Sequence, residues 1–132
     1  MIYENHDMIF DTDILIWVQK GNEKAAQLIE IAENRYLSIQ SYMELLQGAK
    51  DKKHHKYVKN FISEFEFSIL PFTENIGHRA LIYVEEYALS SGMRAGDAII
   101  AATAVENKMP LSSSNFKHFK IIKELELKAF KP

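Results

Sequence analysis

Apolar positions in this chain fall into short continuous runs separated by longer helical faces. Met8-Ile9-Phe10 does not alternate with polar residues, which is the pattern of a strand buried on both faces. The run stops on Asp11, and after Thr12 and Asp13 it resumes as Ile14-Leu15-Ile16-Trp17, entering a helix that stops at Gly21. Asn22 is placed to cap a second helix, whose apolar face is Ala25, Ala26, Leu28, Ile29 and Ala32. Tyr36 to Ile39 predicts a strand, and Ser41 to Ala49 predicts a helix ending near Gly48. Residues 50–60 are polar and lysine-rich, yet Tyr57, Val58, Phe61 and Ile62 give that segment a helical face. Phe67 to Phe72 reads as a strand that Pro71 places near an edge.

A long helix follows from Glu74 to Ser90, with Ile76, Ala80, Leu81, Val84, Tyr87 and Ala88 on one side, and Ser90-Ser91-Gly92 ends it. The next helix starts near Ala95-Gly96-Asp97. It is apolar all round as far as Val105, which predicts a buried helix whose alanines let neighbours approach closely. Pro110 to Ser113 is a short strand followed by polar Ser114 and Asn115, and Leu125 to Phe130 alternates as a half-exposed final strand. Strands alternating with helices predict an α/β fold with a mainly parallel central sheet covered on both faces. With no repeat, linker or low-complexity segment, residues 1–132 read as one domain.

Composition narrows the chemistry. The 132 residues suffice for a real core, and 47% apolar with 26% charged is ordinary for a soluble globular protein. The absence of cysteine excludes disulfides, thiolate metal sites and cysteine nucleophiles. No apolar run approaches the roughly 18 residues needed to span a bilayer. Residues 1–7 lack the basic start and apolar stretch of a secretory signal, so a cytoplasmic protein with no membrane association is expected. A formal net charge of −2 gives no global attraction to nucleic acid, so any basic surface must be local.

Four polar positions stand out, and each has an ordinary structural explanation. Asp11 follows the first strand, where an Asx-turn or a helix cap would use it equally well. Ser41-Tyr42-Met43-Glu44 before Leu45-Leu46 fits a capping box, with Glu44 bonding back to the cap. Asp97 lies in the first turn of a helix, where the helix dipole favours a carboxylate. Asn115 suits a turn or a cap. Yet Asp11, Glu44, Asp97 and Ser113-Ser114-Asn115 all lie at or just past a strand end or at a helix start. In a parallel sheet that is one edge, the edge where open α/β sheets bind ligands. Three carboxylates gathered there raise one another's pKa unless a cation neutralises them. Oxygen-only ligands select a hard ion, Mg²⁺ or Mn²⁺, which positions a phosphate and acidifies water. The chemistry inferred is phosphodiester hydrolysis.

The stretches Phe10 to Ile16, Ser41 to Ala49, Asp97 to Ala104 and Ser113 to Phe119 together resemble the PIN-domain family, and most closely its VapC toxin ribonucleases. The resemblance covers nearly the whole chain, with the motifs in the family's order. It implies a PIN-like three-layer α/β/α sandwich and a Mg²⁺- or Mn²⁺-dependent endoribonuclease acting on RNA. It also implies a homodimer and a cognate antitoxin that blocks the site. By motif position Asp11 and Asp97 would bind metal, Glu44 would complete the acidic cluster and help activate water, and Asn115 would occupy the fourth site position. Thr12 would donate to a site carboxylate or a phosphate. Ser113 stands where the family usually has threonine, keeping the hydroxyl without the methyl, and an asparagine at position 115 argues against a second tightly held metal.

Two basic regions can meet RNA. Lys50, Lys52, Lys53, His54, His55, Lys56 and Lys59 read as a solvated helix face, whereas Lys117, His118, Lys120 and Lys123 lie just past Asn115. Lys117 and Lys120 are therefore the expected RNA-backbone contacts. No spacing marks His54, His55 or His118 as metal ligands. Asp11-Thr12-Asp13 is also similar to the nucleophile loop of haloacid-dehalogenase phosphatases, but Leu15 and the apolar run after Asp97 depart from that pattern. A non-catalytic PIN-fold binding module is the other alternative. Tyr3, Trp17, Tyr36, Tyr42, Tyr57, Phe61, Phe65 and Phe67 are more aromatic surface than one small core takes up. A partner groove is therefore expected between the helices of residues 14–32 and 41–65, with an amphipathic helix as its occupant.

Overall fold

A computed structural model describes residues 7–132. Residues 1–6, among them Tyr3 and nearly all of the stretch read for a secretory signal, lie outside the described residues. Strand β1 (Asp7–Phe10) leads into α1 (Thr12–Gln19) and α2 (Glu23–Ile31), then β2 (Asn34–Ser38) into α3 (Ile39–Gln47) and α4 (Lys52–Glu64). Next come β3 (Ser68–Leu70), α5 (Glu74–Ser91), α6 (Ala95–Glu106), β4 (Leu111–Ser113), the short α7 (Phe116–Phe119) and β5 (Leu127–Ala129). The five strands form one sheet in the order β3-β2-β1-β4-β5, and every pairing is parallel. The α/β expectation therefore holds; β3 is an edge, as Pro71 suggested, and β5, read as half-exposed, is the other.

Two apolar layers cover the sheet. Ile9 and Leu111 pack with Ile76, Tyr83, Ile100, Ala101, Ala104 and Phe119. On the opposite face Phe10 and Leu37 pack with Ile14, Leu15, Ile29, Leu45, Val58 and Phe67. Adjacent residues of a strand point to opposite faces, so Ile9 and Phe10 each anchor a different layer. Having two layers, rather than one small core, accounts for most of the aromatic surplus. Phe67 is buried, Trp17, Tyr42, Phe61 and Phe65 lean on its layer, and Tyr36 joins the other.

Caps follow the local sequence with one correction. Asn22 caps α2 by accepting from the Ala25 N–H, and Gly92 ends α5 in the left-handed region at φ 72°. Helix α6 is buried on most sides, as its apolar run predicted. Helix α3, however, starts at Ile39 and not Ser41, because β2 passes into it with no loop. Its cap is Ser38, whose hydroxyl accepts from the Ser41 N–H. Glu44 therefore lies beyond the first turn and has no capping box to complete. Leu81, expected on the inner side of α5, is 58% exposed, and Ile76, Ala80 and Tyr83 are the residues buried there.

Among the described residues, no helix is long and apolar enough to cross a membrane.

Candidate functional site

β1 is flanked by β2 on one side and β4 on the other, although β4 comes last but one in the chain. Chain connections diverge at that point, leaving a crevice beyond the carboxyl ends of β1 and β4. Asp11 is the first residue after β1, and its N–H donates to the Ser112 carbonyl at 2.9 Å, fixing it against β4. It caps α1, with its side chain accepting from the Thr12 N–H at 2.8 Å and from the Ser113 hydroxyl at 2.7 Å. The ordinary cap role of Asp11 is real, and the same geometry holds its carboxylate in the crevice. Ser113 also accepts from the Asn115 N–H at 2.9 Å, so one buried hydroxyl sets both Asp11 and the start of the next segment.

Glu44 reaches the crevice from α3. It accepts from the Thr12 hydroxyl at 2.6 Å and from the Gln40 amide, one helical turn earlier, at 2.9 Å. Thr12 thereby links the Asp11 and Glu44 carboxylates. Gly96 in the first turn of α6 leaves the space Glu44 uses, since a Cβ there would lie 2.7 Å from Glu44 Oε2. Asp97, the next residue, accepts from the Arg94 N–H at 3.4 Å, the back-bond that a first-turn acid makes, and also meets His118 Nδ1 at 3.2 Å. His118 Nδ1 lies 3.0 Å from the Asn115 side-chain nitrogen as well, so one ring nitrogen stands between Asp97 and Asn115 and bonds one of them at a time.

Asp13, in the first turn of α1, is bonded to Ser114 through both its N–H, at 3.0 Å, and its hydroxyl. Its other oxygen is buried without a hydrogen-bond partner. Burial, with the charge of Asp13 beside it, pushes the Asp11 carboxyl up to about 8, against the lowering effect of the bonds from Ser113 and Thr12. The negative charge of Asp97 adds to the rise. Asp13 is also raised, by burial first, with Ser114 opposing. Burial thus opposes ionisation of both neighbouring carboxyls, and of Asp11 the more clearly.

The sequence pattern of the PIN domain matches residues 8–125. The chain belongs to the PIN domain family. It is similar to a VapC ribonuclease of Mycobacterium bovis, with 28% identity over 131 residues that cover 90% of this chain and 98% of the relative. Among solved structures it is similar to a toxin–antitoxin complex from Klebsiella pneumoniae (TM-score 0.76, 29% identity), covering 89% of this chain and 94% of that one. The fold also matches VapBC2 of Rickettsia felis bound to a promoter DNA fragment, with TM-score 0.80, 21% identity, and coverage of 95% and 99%. The expected PIN-like architecture and the likeness to VapC ribonucleases are both found.

In this PIN domain Asp11, Thr12, Glu44, Ser113 and Asn115 form a connected set with Asp97, through the bonds given above. The donor chemistry suits a hard divalent cation: oxygens only, two neighbouring carboxyls whose ionisation burial opposes, and one buried carboxylate oxygen left without a donor. Among the described residues, no three acidic or imidazole side chains stand close enough to enclose an ion. Lys117 and Lys120 lie outside the crevice, lining a separate cleft with Ser90, Ser91 and Ile121.

Of the polar residues in the site, Gln40 has no place in the sequence reading, Asp13 and Ser114 enter it only as members of their motifs, and His118 only as part of a basic region. Gln40 had a readable signal, since it stands one turn before Glu44 on the same helix face. His118 stands three residues after Asn115, which places them together only once α7 exists. Ser114 and Asp13 lie 101 residues apart, and no local pattern joins them.

A groove of about 470 Å³ lies between α1 and the α3–α4 pair, lined by Ile16, Gln19, Lys20, Leu45, His54 and Tyr57. Glu44 also lines it, so the groove opens onto the acidic crevice. Tyr57 and Ile16 are 44% and 38% exposed there, apolar surface that the two core layers leave over.

Proposed function

We propose that the chain is a divalent-cation-dependent endoribonuclease and the toxin of a toxin–antitoxin pair. The observation that carries this reading is the Asp11 carboxyl, buried at the β1–β4 crevice, pushed up to about 8, and linked through Thr12 to Glu44. Burial opposes the charge of such a carboxyl, and a cation beside it would offset that cost. Asp11 and Asp97 would hold the ion, with Asp13 within reach of the same crevice. Bound there, Mg²⁺ or Mn²⁺ would position a phosphate, lower the pKa of a water and stabilise charge on the leaving oxygen. Glu44, fixed by Thr12 and Gln40, would orient and deprotonate the attacking water, while Ser113 and Asn115 hold the opposite wall. Family membership and the likeness to VapC ribonucleases support the choice of RNA as substrate. A phosphatase using Asp11 as nucleophile is disfavoured, because both its oxygens already accept hydrogen bonds in a buried position.

Incubation with a pool of total tRNA and rRNA tests the activity. Cleavage is expected with Mg²⁺ or Mn²⁺ and is expected to vanish with chelator and in Asp97→Asn. No cleavage with either ion, or equal cleavage by the variant, would overturn the reading.

The partner reading rests on the groove between α1 and α3–α4 and on structural relatives that are toxin–antitoxin complexes. An amphipathic helix of the antitoxin would fill it, with a basic side chain reaching past Glu44 toward Asp11 and Asp97. Hydrogen exchange on the complex should show protection across Tyr42 to Phe67. Protection confined to residues 74–92 would contradict it. The homodimer implied by the resemblance has a candidate face on α5, where Leu81, Ile82 and Leu89 are exposed.

A further inference from the structure

Three aromatic side chains are exposed among the described residues: Tyr57, Phe72 and Phe116. Tyr57 belongs to the groove already described, and Phe72 lies against Gly77 of α5. Phe116 is different. It is 48% exposed, follows Asn115 directly, and stands on a helix that the fully buried Phe119 anchors to the core. Phe116 is therefore carried on a segment tied to the core and next in sequence to Asn115 of the acidic crevice, with its own ring left exposed.

The surroundings of Phe116 are cationic. The Lys120 ammonium lies 5.8 Å from the centre of its ring, and Lys117 and Lys120 both line the cleft of about 430 Å³ formed with Ser90, Ser91 and Ile121. A ligand suited to this place offers a flat π face to the ring and negative charge to two flexible ammonium groups. Each nucleotide of a single strand carries both, a base and a phosphate joined by one sugar. A protein segment would need a separate aromatic and acidic residue in matching register.

We propose that Phe116, Lys117 and Lys120 form a subsite that stacks one unpaired nucleobase of the RNA and holds the adjoining phosphate beside the acidic crevice. The inference rests on the ribonuclease reading above and adds to it a base-stacking contact outside the acidic crevice. Phe116 supplies a stacking surface that accepts any base, so it fixes the strand's path more than its sequence. Lys120 leaves the ring face for the phosphate when the base arrives. Duplex RNA, whose bases are already stacked on one another, gains nothing from the ring.

Binding is measured with Ca²⁺ replacing Mg²⁺, using a fluorescent single-stranded RNA of mixed sequence and the same sugar–phosphate chain without bases. The wild-type protein should bind the base-bearing strand more tightly. Phe116→Ala should weaken that strand about tenfold or more, the loss expected for one base–aromatic stack. It should leave the abasic chain unaffected, and Phe116→Trp should restore the difference. Lys117→Ala and Lys120→Ala should weaken both chains and flatten the salt dependence. If Phe116→Ala keeps the full preference for bases, or instead converts a dimer to a monomer, the subsite is refuted while RNA cleavage by the wild type still stands. A wild type that neither binds nor cleaves RNA refutes the ribonuclease reading and this subsite with it.

Discussion

Asp11→Asn should abolish RNA cleavage and raise the melting temperature of the metal-free protein, with the gain larger at pH 8 than at pH 5. The reason is the direction of the Asp11 shift, from an ordinary 3.8 to about 8 in the folded chain. Below about pH 4 the carboxyl is protonated in both folded and unfolded chains, and it has no effect on the balance. As pH rises toward 8 the unfolded chain releases its proton while the folded chain retains it, so stability falls across that window. Asparagine keeps a side-chain oxygen for the Ser113 hydroxyl or the Thr12 N–H but cannot ionise. The variant therefore escapes the loss, and its advantage grows with pH, reaching on the order of 5 °C. A divalent cation reverses the sign, because the wild type gains a ligand for its charge and the variant does not. Mn²⁺ should stabilise the wild type more strongly as pH rises, as the proton it displaces is held less tightly. Melting curves at several pH values, with and without Mn²⁺, check both halves. A difference between variant and wild type that stays flat from pH 5 to pH 8 would remove Asp11 as the buried acid of the crevice.

How much of this was legible beforehand depends on the distance between the interacting residues. Strands and helices came from local periodicity, and the unalternating Met8-Ile9-Phe10 run did mark a strand packed on both faces. The all-apolar α6 was legible for the same reason. Boundaries were less so where two elements join without a loop. Ile39 is β-branched and follows a strand, so it read as strand, yet it opens α3 behind the Ser38 cap. With the cap at Ser38 and not Ser41, Glu44 is no capping-box partner and is a crevice residue instead. Positions at strand ends could be gathered onto one edge by topology alone, which brought Asp11, Glu44, Asp97 and Asn115 into view. Which side chains then bond one another was not accessible. Both acids of Asp11-Thr12-Asp13 turn toward β4, one to Ser113 and one to Ser114. The sequence pattern distinguishes neither, because a cap and a first-turn acid serve equally well in any helix. Leu81 was misplaced because a stripe read from spacing alone does not say where the buried arc ends.

Gly96→Ala should reduce cleavage by about tenfold or more while leaving the fold as stable as before or slightly more stable, a combination that misfolding cannot produce. Gly96 lies within α6 and carries no left-handed backbone requirement, so alanine is the better helix former there by up to about 1 kcal/mol. Its Cβ, however, would stand 2.7 Å from Glu44 Oε2 and 3.3 Å from Gln40 Nε2. Both neighbours are the far ends of flexible side chains in a half-buried place, so they move aside at the cost of their own hydrogen bonds, which water can replace. Glu44 then loses its position relative to Asp11 and Asp97, although its charge is intact. Glu44→Gln makes the complementary change. Its amide can still pair with Thr12 and Gln40, so the position persists and the charge is lost. Activity should fall by about a hundredfold, in the range of a missing general base, with melting within a few degrees of the wild type. Because both substitutions disable the same carboxylate, the double variant should be little worse than Glu44→Gln alone. Steady-state cleavage and melting curves on the three variants decide the matter. If Gly96→Ala cleaves at the wild-type rate, the place of Glu44 in the crevice is unimportant; if the two losses multiply, Gly96 acts on something other than Glu44.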